Sequence, residues 1–206
     1  FTRLKLKTLN LPNTKIIFQE NGGPSKARNE GIKSSKGKYI LPLDSDDLIH
    51  PMYVESCVNV IQQNNKYSPI YCDTIHEGQM RGIEKRPEWS ENRLVQGPFI
   101  VNCSMFSREA FDSVGGYDEN LKGWEDYDMW LRMMQFGYIG KRIPQAMFIY
   151  FHHESEGTVS TLANKDTKSL HNKILVKNKI IPANVFEESS IYTPLTNNNT
   201  SFNSFV

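Results

Sequence analysis

Two short apolar runs break off abruptly against turn-forming residues, and this limits what the chain can fold into more than any other feature. Lys15-Ile16-Ile17-Phe18-Gln19 runs into Asn21-Gly22-Gly23-Pro24, and Tyr39-Ile40-Leu41-Pro42-Leu43 stops at Asp44-Ser45-Asp46-Asp47. Apolar, partly β-branched runs of that length bounded by Gly, Pro, Asn and Asp read as strands followed by breaks. Between them, Pro24 suits the first position of a helix supported by Ala27 and Ile32 and ended by Gly37. Strand, helix, strand is the order of a parallel α/β sheet.

The alternation continues. Pro51 opens a second helix with Val54, Val58 and Ile61 on one face, and Ile70-Tyr71-Cys72 follows as a short strand. From Glu77 to Gln96 the sequence is polar with little periodicity, which predicts a surface excursion of the kind that often holds acceptors. Phe99 to Phe106 reads as a strand, Ser107 as the cap of a short helix carrying Phe111, and Gly115-Gly116 as its end. A longer helix is expected from about Glu125 to Phe136, with Tyr127, Trp130, Leu131 and Met134 on a buried stripe and Gly137 as its stop. Phe148 to Phe151 is strand-like. From Pro182 onward Asn, Thr and Ser dominate, so residues 1–181 are expected to form one domain and 182–206 a flexible polar tail.

Composition narrows the function classes. A chain of 206 residues, 38% hydrophobic, can bury one core. A net charge of +1 offers no bulk attraction to nucleic acid or to an anionic membrane. No apolar run approaches the roughly 18 residues of a membrane span. Cys57, Cys72 and Cys103 are odd in number and widely spaced, which fits neither a disulfide framework nor a clustered zinc site; they read as core thiols of a reducing, cytoplasmic setting.

Four sets of residues are candidates for chemistry. Asp44 and Asp46 stand two apart at the carboxyl end of an apolar strand, where open α/β sheets bind ligands, and an extended backbone there would turn both to one side. Hard oxygen ligands of this kind suit Mg2+ or Mn2+, which could bridge a diphosphate; alone, Asp-x-Asp more often describes an acidic turn, here one capping the helix that Pro51 opens. Glu125 and Asp126 begin the long helix, where the dipole favours carboxylates whatever their role; a functional carboxylate there is expected to stay ionised at neutral pH. Asn21, Gly22 and Gly23 would let the backbone approach a nucleotide closely, with Arg28 one helical turn further on, although a plain turn and a solvated arginine share that spacing. His152 and His153 point to opposite faces of a strand, so at most one faces a site.

In order, Glu20-Asn21-Gly22-Gly23-Pro24-Ser25-Lys26-Ala27-Arg28-Asn29-Glu30-Gly31-Ile32, then Tyr39 to Asp47 with Pro51, then Phe106-Ser107-Arg108-Glu109-Ala110-Phe111 and Gly115-Gly116-Tyr117-Asp118-Glu119, then Gly123-Trp124-Glu125-Asp126-Tyr127-Asp128-Met129-Trp130-Leu131-Arg132, resemble the family 2 glycosyltransferases of GT-A fold. The resemblance covers about Ile16 to Ser160. It implies a Rossmann-like, mixed but mainly parallel sheet flanked by helices. The activity it implies is inverting transfer of a sugar from a nucleotide-diphosphate donor, UDP-linked, to a hydroxyl acceptor such as a glycan, a lipid-linked sugar or a protein. By position, Asp126 is the base and Glu125 orients the acceptor or a neighbour. Asp46 is the direct ligand of Mn2+ or Mg2+, Asp44 contacts ribose or the metal through water, and His153 is the histidine that follows the Tyr-rich strand.

The chain departs from the family pattern in two ways. The Pro-x-Tyr-Asn-like and Asp-Asp-Gly-Ser-like turns that close the family's first two strands are not found, so the match begins at the third strand. The fold is therefore expected to be N-terminally truncated, with an exposed sheet edge and weak activity for this polypeptide alone. The Gln-x-x-Arg-Trp motif of processive synthases does not follow Asp126, which favours transfer of single sugars. Two other functions compete: a non-catalytic subunit that binds a sugar nucleotide or glycan, and a nucleotidyltransferase, for which a glycine-rich basic triphosphate loop would be needed.

Overall fold

A computed structural model describes residue 6, residues 12–152 and residues 167–180. Twelve elements matter for the site. In chain order they are α1 (Gly23–Ser34), β1 (Tyr39–Ile40), β2 (Leu48–Ile49), α2 (Tyr53–Ile61), β3 (Tyr67–Gly78), β4 (Gly82–Glu84), α3 (Glu91–Gln96), β5 (Phe106–Ser107), α4 (Arg108–Val114), α5 (Glu125–Gln135), β6 (Ile139–His152) and α6 (Thr167–Lys177). The main sheet has the order β2-β6-β3-β4, and a two-stranded sheet pairs β1 with β5. The long β3–β6 pairing is parallel, while β2 and β4 join as antiparallel edges. The architecture is thus the mixed α/β sheet flanked by helices that the sequence implies.

Side-chain alternation along β3 builds the two faces of the core. Tyr71 points into a layer made by α1, α4, α5 and α6, with Phe106, Trp130, Leu131 and Ile174. Ile70 and Cys72 point the other way, onto Tyr53, Cys57 and Ile61 of α2. The cysteines are buried and free. Burial pushes the Cys57 thiol up to about 12, so it behaves as a packing group rather than a nucleophile.

Several expectations change in the folded chain. Lys15 to Gln19 carries no regular secondary structure, and Ile17 and Phe18 are exposed; an apolar run becomes a strand only when a neighbour supplies ladder bonds. The strand expected over Tyr39–Leu43 is reduced to Tyr39–Ile40, because Pro42 has no N–H to donate. α1 ends at Ser34, before Gly37, with Ser35 in an extended conformation and its N–H on Ile32 O. The buried face of α2 is Tyr53, Cys57 and Ile61; Val54 is exposed. Of the strand expected over Phe99–Phe106, Phe106 pairs within β5 together with Ser107, and Met105 forms a single antiparallel bridge to Ile70 of β3. β6 begins well before Phe148 and absorbs Pro144 and Gln145 as extra residues opposite the Cys72–Asp73 step, a bulge that hides its period. Two helix ends form as expected. Ser107 Oγ accepts from Ala110 N at 3.1 Å, and Gly115 closes α4 in the left-handed region. The polar tail 182–206 lies outside the described residues.

The segment expected as a surface excursion is fastened to the sheet. After the β3–β4 hairpin, Arg86 N donates to Asp73 Oδ1 at 2.9 Å, Tyr71 OH donates to Pro87 O at 2.9 Å, and Arg142 bridges Asp73 and Glu88. The Trp89 ring packs against Gly140, where an added Cβ would lie 2.2 Å from Trp89 Cε3. Gly140→Ala is expected to lift the tryptophan off β6 and to lower stability by about 1–3 kcal/mol, read as a lower urea midpoint with unchanged slope. An unchanged midpoint would mean that this segment is not held by the Trp89–Gly140 contact.

Candidate functional site

Three local structures converge at the carboxyl end of β1. The first is the turn Asp44–Asp47, closed by Asp47 N donating to Asp44 O at 3.2 Å. Asp44 and Asp46 therefore stand on a turn rather than on an extended strand, both exposed to solvent. Asp47 is buried and its Oδ1 accepts from Phe151 N at 3.2 Å, which ties the turn to β6. The acidic run does not cap α2; that helix starts behind His50, whose Nδ1 accepts from Met52 N.

The second structure is the first turn of α5. Gly123 at φ +115° and Trp124 at φ +54° bring the chain into the helix through the left-handed region. A bulky residue held there costs on the order of 1–3 kcal/mol and persists only where packing enforces it. Trp124 packs against Tyr127 and His171, with ring centroids 5.8 and 6.2 Å apart. Glu125 and Asp126 follow at once. The Asp126 carboxylate accepts from Tyr127 N at 2.8 Å. Desolvation, then the neighbouring Glu125 charge, push the Asp126 carboxyl up to about 7, although part of its side chain remains open to solvent. Removal of water thus works against the helix dipole, which favours the anion at this position.

The third is α1. Asn21 Oδ1 accepts from Gly23 N at 3.1 Å, an Asx turn that leads into the helix, and Gly23 at φ +84° takes the left-handed conformation this turn requires. Arg28 is not a solvated arginine. Its side chain is 14% exposed and its fork joins the other two structures: Nη2 lies 2.9 and 3.1 Å from the Asp44 carboxylate oxygens, and Nη1 contacts Glu125 Oε1. Burial alone would lower its proton affinity; the Asp44 charge and the other partners more than offset this and raise it.

Neighbouring residues without an assigned role in the sequence complete the frame. Asn29, next to Arg28, donates to Tyr117 O and Glu119 Oε1 and accepts from Tyr117 N, all at 2.9 Å. Gly116 makes room for this clamp, since a Cβ there would sit 2.9 Å from Asn29 Oδ1 at φ +79°. Asn29 and Tyr117 belong to motifs visible in the sequence, whereas Asn102, which bridges Tyr117 OH and Arg28, has no signal in its surroundings.

Asn21, Gly22, Gly23, Arg28, Asp44, Asp46, Glu125 and Asp126 thus belong to three structures, of which α1, the acidic turn and α5 are linked through Arg28. His153 lies outside the described residues. His152 is turned to His76, with 2.8 Å between Nε2 and Nδ1, and His76 contacts Glu84 at 2.9 Å. Among the described residues, no three His, Cys, Asp or Glu side chains are grouped to hold a metal, and no helix is long and apolar enough to cross a membrane.

The mixed α/β architecture with helix-flanked sheets is that of the GT-A fold. The glycosyl transferase family 2 model matches residues 2–115, and the chain belongs to that family. A second model, the N-terminal domain of galactosyltransferase, matches residues 99–156. An uncharacterised glycosyltransferase of Haemophilus influenzae is 29% identical over 80% of this chain and 59% of its own length, so the chain spans little more than half of that relative. Among solved structures, S. aureus TarS 1–349 in complex with UDP-GlcNAc superposes with a TM-score of 0.64 at 20% identity, over 85% of this chain and 53% of TarS 1–349. The Pyrobaculum calidifontis mannosyltransferase PcManGT, in complex with GDP-Man and Mn2+, gives 0.58 at 16% identity, over 88% and 50%. At these identities the likeness establishes the fold.

Proposed function

We propose that the protein transfers a sugar from a nucleoside-diphosphate donor, UDP-linked, to an acceptor hydroxyl with inversion at the anomeric carbon. The observation that carries this reading is the joining of the Asp44–Asp47 turn to the Glu125–Asp126 helix start through Arg28. A leaving-group site and a base site are then held next to one another.

In this reading Asp126 accepts the proton of the acceptor hydroxyl, the acceptor oxygen forms the new bond to the anomeric carbon, and the bond from that carbon to the diphosphate oxygen breaks, its electron pair leaving with the nucleoside diphosphate. A carboxyl near 7 is a better-matched base than an ordinary aspartate, because its proton affinity lies close to the working pH. Glu125, 6% exposed and held by Arg28, orients this centre rather than exchanging protons with solvent.

The donor set fits a hard divalent cation. Asp44, paired with Arg28 but half-exposed, and Asp46 carry carboxylates on one solvent-facing turn, and Mg2+ or Mn2+ commonly completes such a partial set with substrate phosphates and water. When bound, the cation would supply charge neutralisation to the departing diphosphate. The Asn21–Gly23 turn is assigned to the nucleotide and His153 to the metal's remaining ligands. Transfer of one sugar per encounter is retained on the sequence ground given above, and residues 1–181 are taken as the catalytic domain.

The test is calorimetric titration of UDP with and without Mn2+, on the wild type and on Asp46→Ala. Mn2+-dependent binding that falls at least tenfold in the variant is the expected result. Wild-type UDP binding that is indifferent to Mn2+ would reject the metal-bridged donor site, and GDP bound more tightly than UDP would reject the choice of nucleotide.

A further inference from the structure

Arg28 has five N–H donors in a rigid fork, and protein groups occupy that fork. Nη1 is on Glu125, and Nη2 is on both oxygens of Asp44. With the Asn102 amide turned so that its nitrogen donates to Tyr117 OH, its oxygen accepts from Arg28 Nη2 and Nε at 3.1 and 3.2 Å. The Tyr117 ring lies 5.7 Å from the guanidinium carbon. Both terminal nitrogens of the guanidinium are thus committed to carboxylates of the protein itself. The two carboxylates it holds differ in access: the Glu125 side chain is 8% exposed and that of Asp44 is 48% exposed, so a cation from solvent can reach Asp44 alone.

We propose that Arg28 is a positioning residue that sets the cation affinity of the donor turn. By holding Asp44 against Glu125 it acts as the internal counter-ion of Asp44, and a divalent cation gains that carboxylate only in competition with the guanidinium. This rests on the reading of Asp44 and Asp46 as the cation-binding turn. It differs from a nucleotide-ligand role for Arg28 in sign, since loss of a competing cation tightens metal binding, whereas loss of a phosphate or base contact weakens nucleotide binding. A unit charge roughly 6 Å from a divalent ion, in water-like dielectric, opposes its binding by on the order of tenfold.

The experiment is calorimetric titration with Mn2+ alone, then with UDP at saturating Mn2+, on wild type, Arg28→Met and Arg28→Lys, each checked for fold by circular dichroism. Arg28→Met is expected to bind Mn2+ about tenfold more tightly than wild type. Arg28→Lys keeps the charge but cannot span both carboxylates, and a two- to threefold gain is expected; it carries the test by itself where the methionine variant does not fold. Unchanged or weaker Mn2+ binding in a folded variant overturns the proposal, as does UDP affinity that falls tenfold while Mn2+ affinity stays constant. The wild-type UDP titration separately decides the donor-site reading, so the two fail on different measurements.

Discussion

Replacing Asp126 by Asn is expected to lower sugar transfer by roughly a thousandfold, to leave UDP affinity in Mn2+ within about threefold, and to raise the unfolding midpoint at pH 8. The rate loss follows from the proposed role of Asp126 as the group that takes the acceptor's proton, a contribution of typically a hundred- to ten-thousandfold. The gain in stability follows from the same desolvation that tunes the base. In the fold the carboxyl titrates at about 7, against about 3.9 in an unfolded chain. The folded chain therefore keeps a proton that the unfolded chain has lost, and stability falls as pH rises between those values. Above about pH 7 the native state carries the whole cost of the ionised group, on the order of 2 kcal/mol once its remaining solvent contact is allowed for. The rate runs the other way: wild-type kcat/KM should climb with pH through about 7 and level off above it. Donor-turnover profiles and melts at pH 5 and pH 8 check both halves. Transfer by the D126N variant within tenfold of wild type would remove Asp126 from the role of base, and an equal midpoint at pH 8 would show that its carboxylate is well solvated.

Asp128→Ala is expected to cost about 3–5 kcal/mol and to release α6 from the body of the domain. Asp128 is fully buried two residues beyond Asp126, and its carboxylate collects Arg132 Nε and Nη2 at 2.9 and 2.7 Å, Lys177 Nζ at 2.8 Å and Asn178 Nδ2 at 2.8 Å. Removing the buried carboxylate that these groups share leaves the part-buried Arg132 guanidinium without its counter-ion, which is why the loss exceeds that of a surface ion pair several-fold. Lys177 retains Asp118, whose carboxyl is held down at about 2: desolvation there opposes ionisation, and hydrogen bonds from Lys177 and Asn120 overcome it. Denaturant unfolding measures the loss, and limited proteolysis reports α6, where cleavage between Thr167 and Lys177 should appear in the variant well before the core is cut. A stability change under 1 kcal/mol would mean that the network contributes little beyond what an apolar contact would.

Much of the candidate site was legible because its residues lie where local rules act. The Asp44–Asp47 turn follows an apolar run, Glu125 and Asp126 open a helix whose stripe is plain, and Ser107 and Gly115 mark the ends of α4 by capping and left-handed chemistry. Three features were not legible. Arg28 reads as a residue beside a nucleotide, or as a solvated one, and nothing near it in sequence names Asp44 and Glu125 as its partners. β6 reads as strand only over its last residues, since its bulge at Pro144 and Gln145 breaks the period of two. The Val54 face of α2 looked buried on apolar spacing, yet Tyr53 and Cys57 fill that place, because a phenol whose hydroxyl reaches Cys103 O is as much a core residue as a valine.

The sequence by itself determined the family, the caps of α4, the extent of α5 and which short segments carry carboxylates, since each depends on a residue and its near neighbours along the chain. Only the tertiary structure decided that Arg28 joins Asp44 to a glutamate 97 positions away, that Asn29 clamps the Gly116–Tyr117 turn, and that Asp126 titrates near neutrality. These depend on which groups water can no longer reach and which charge is brought beside which, and both are properties of the packed chain rather than of any segment of it.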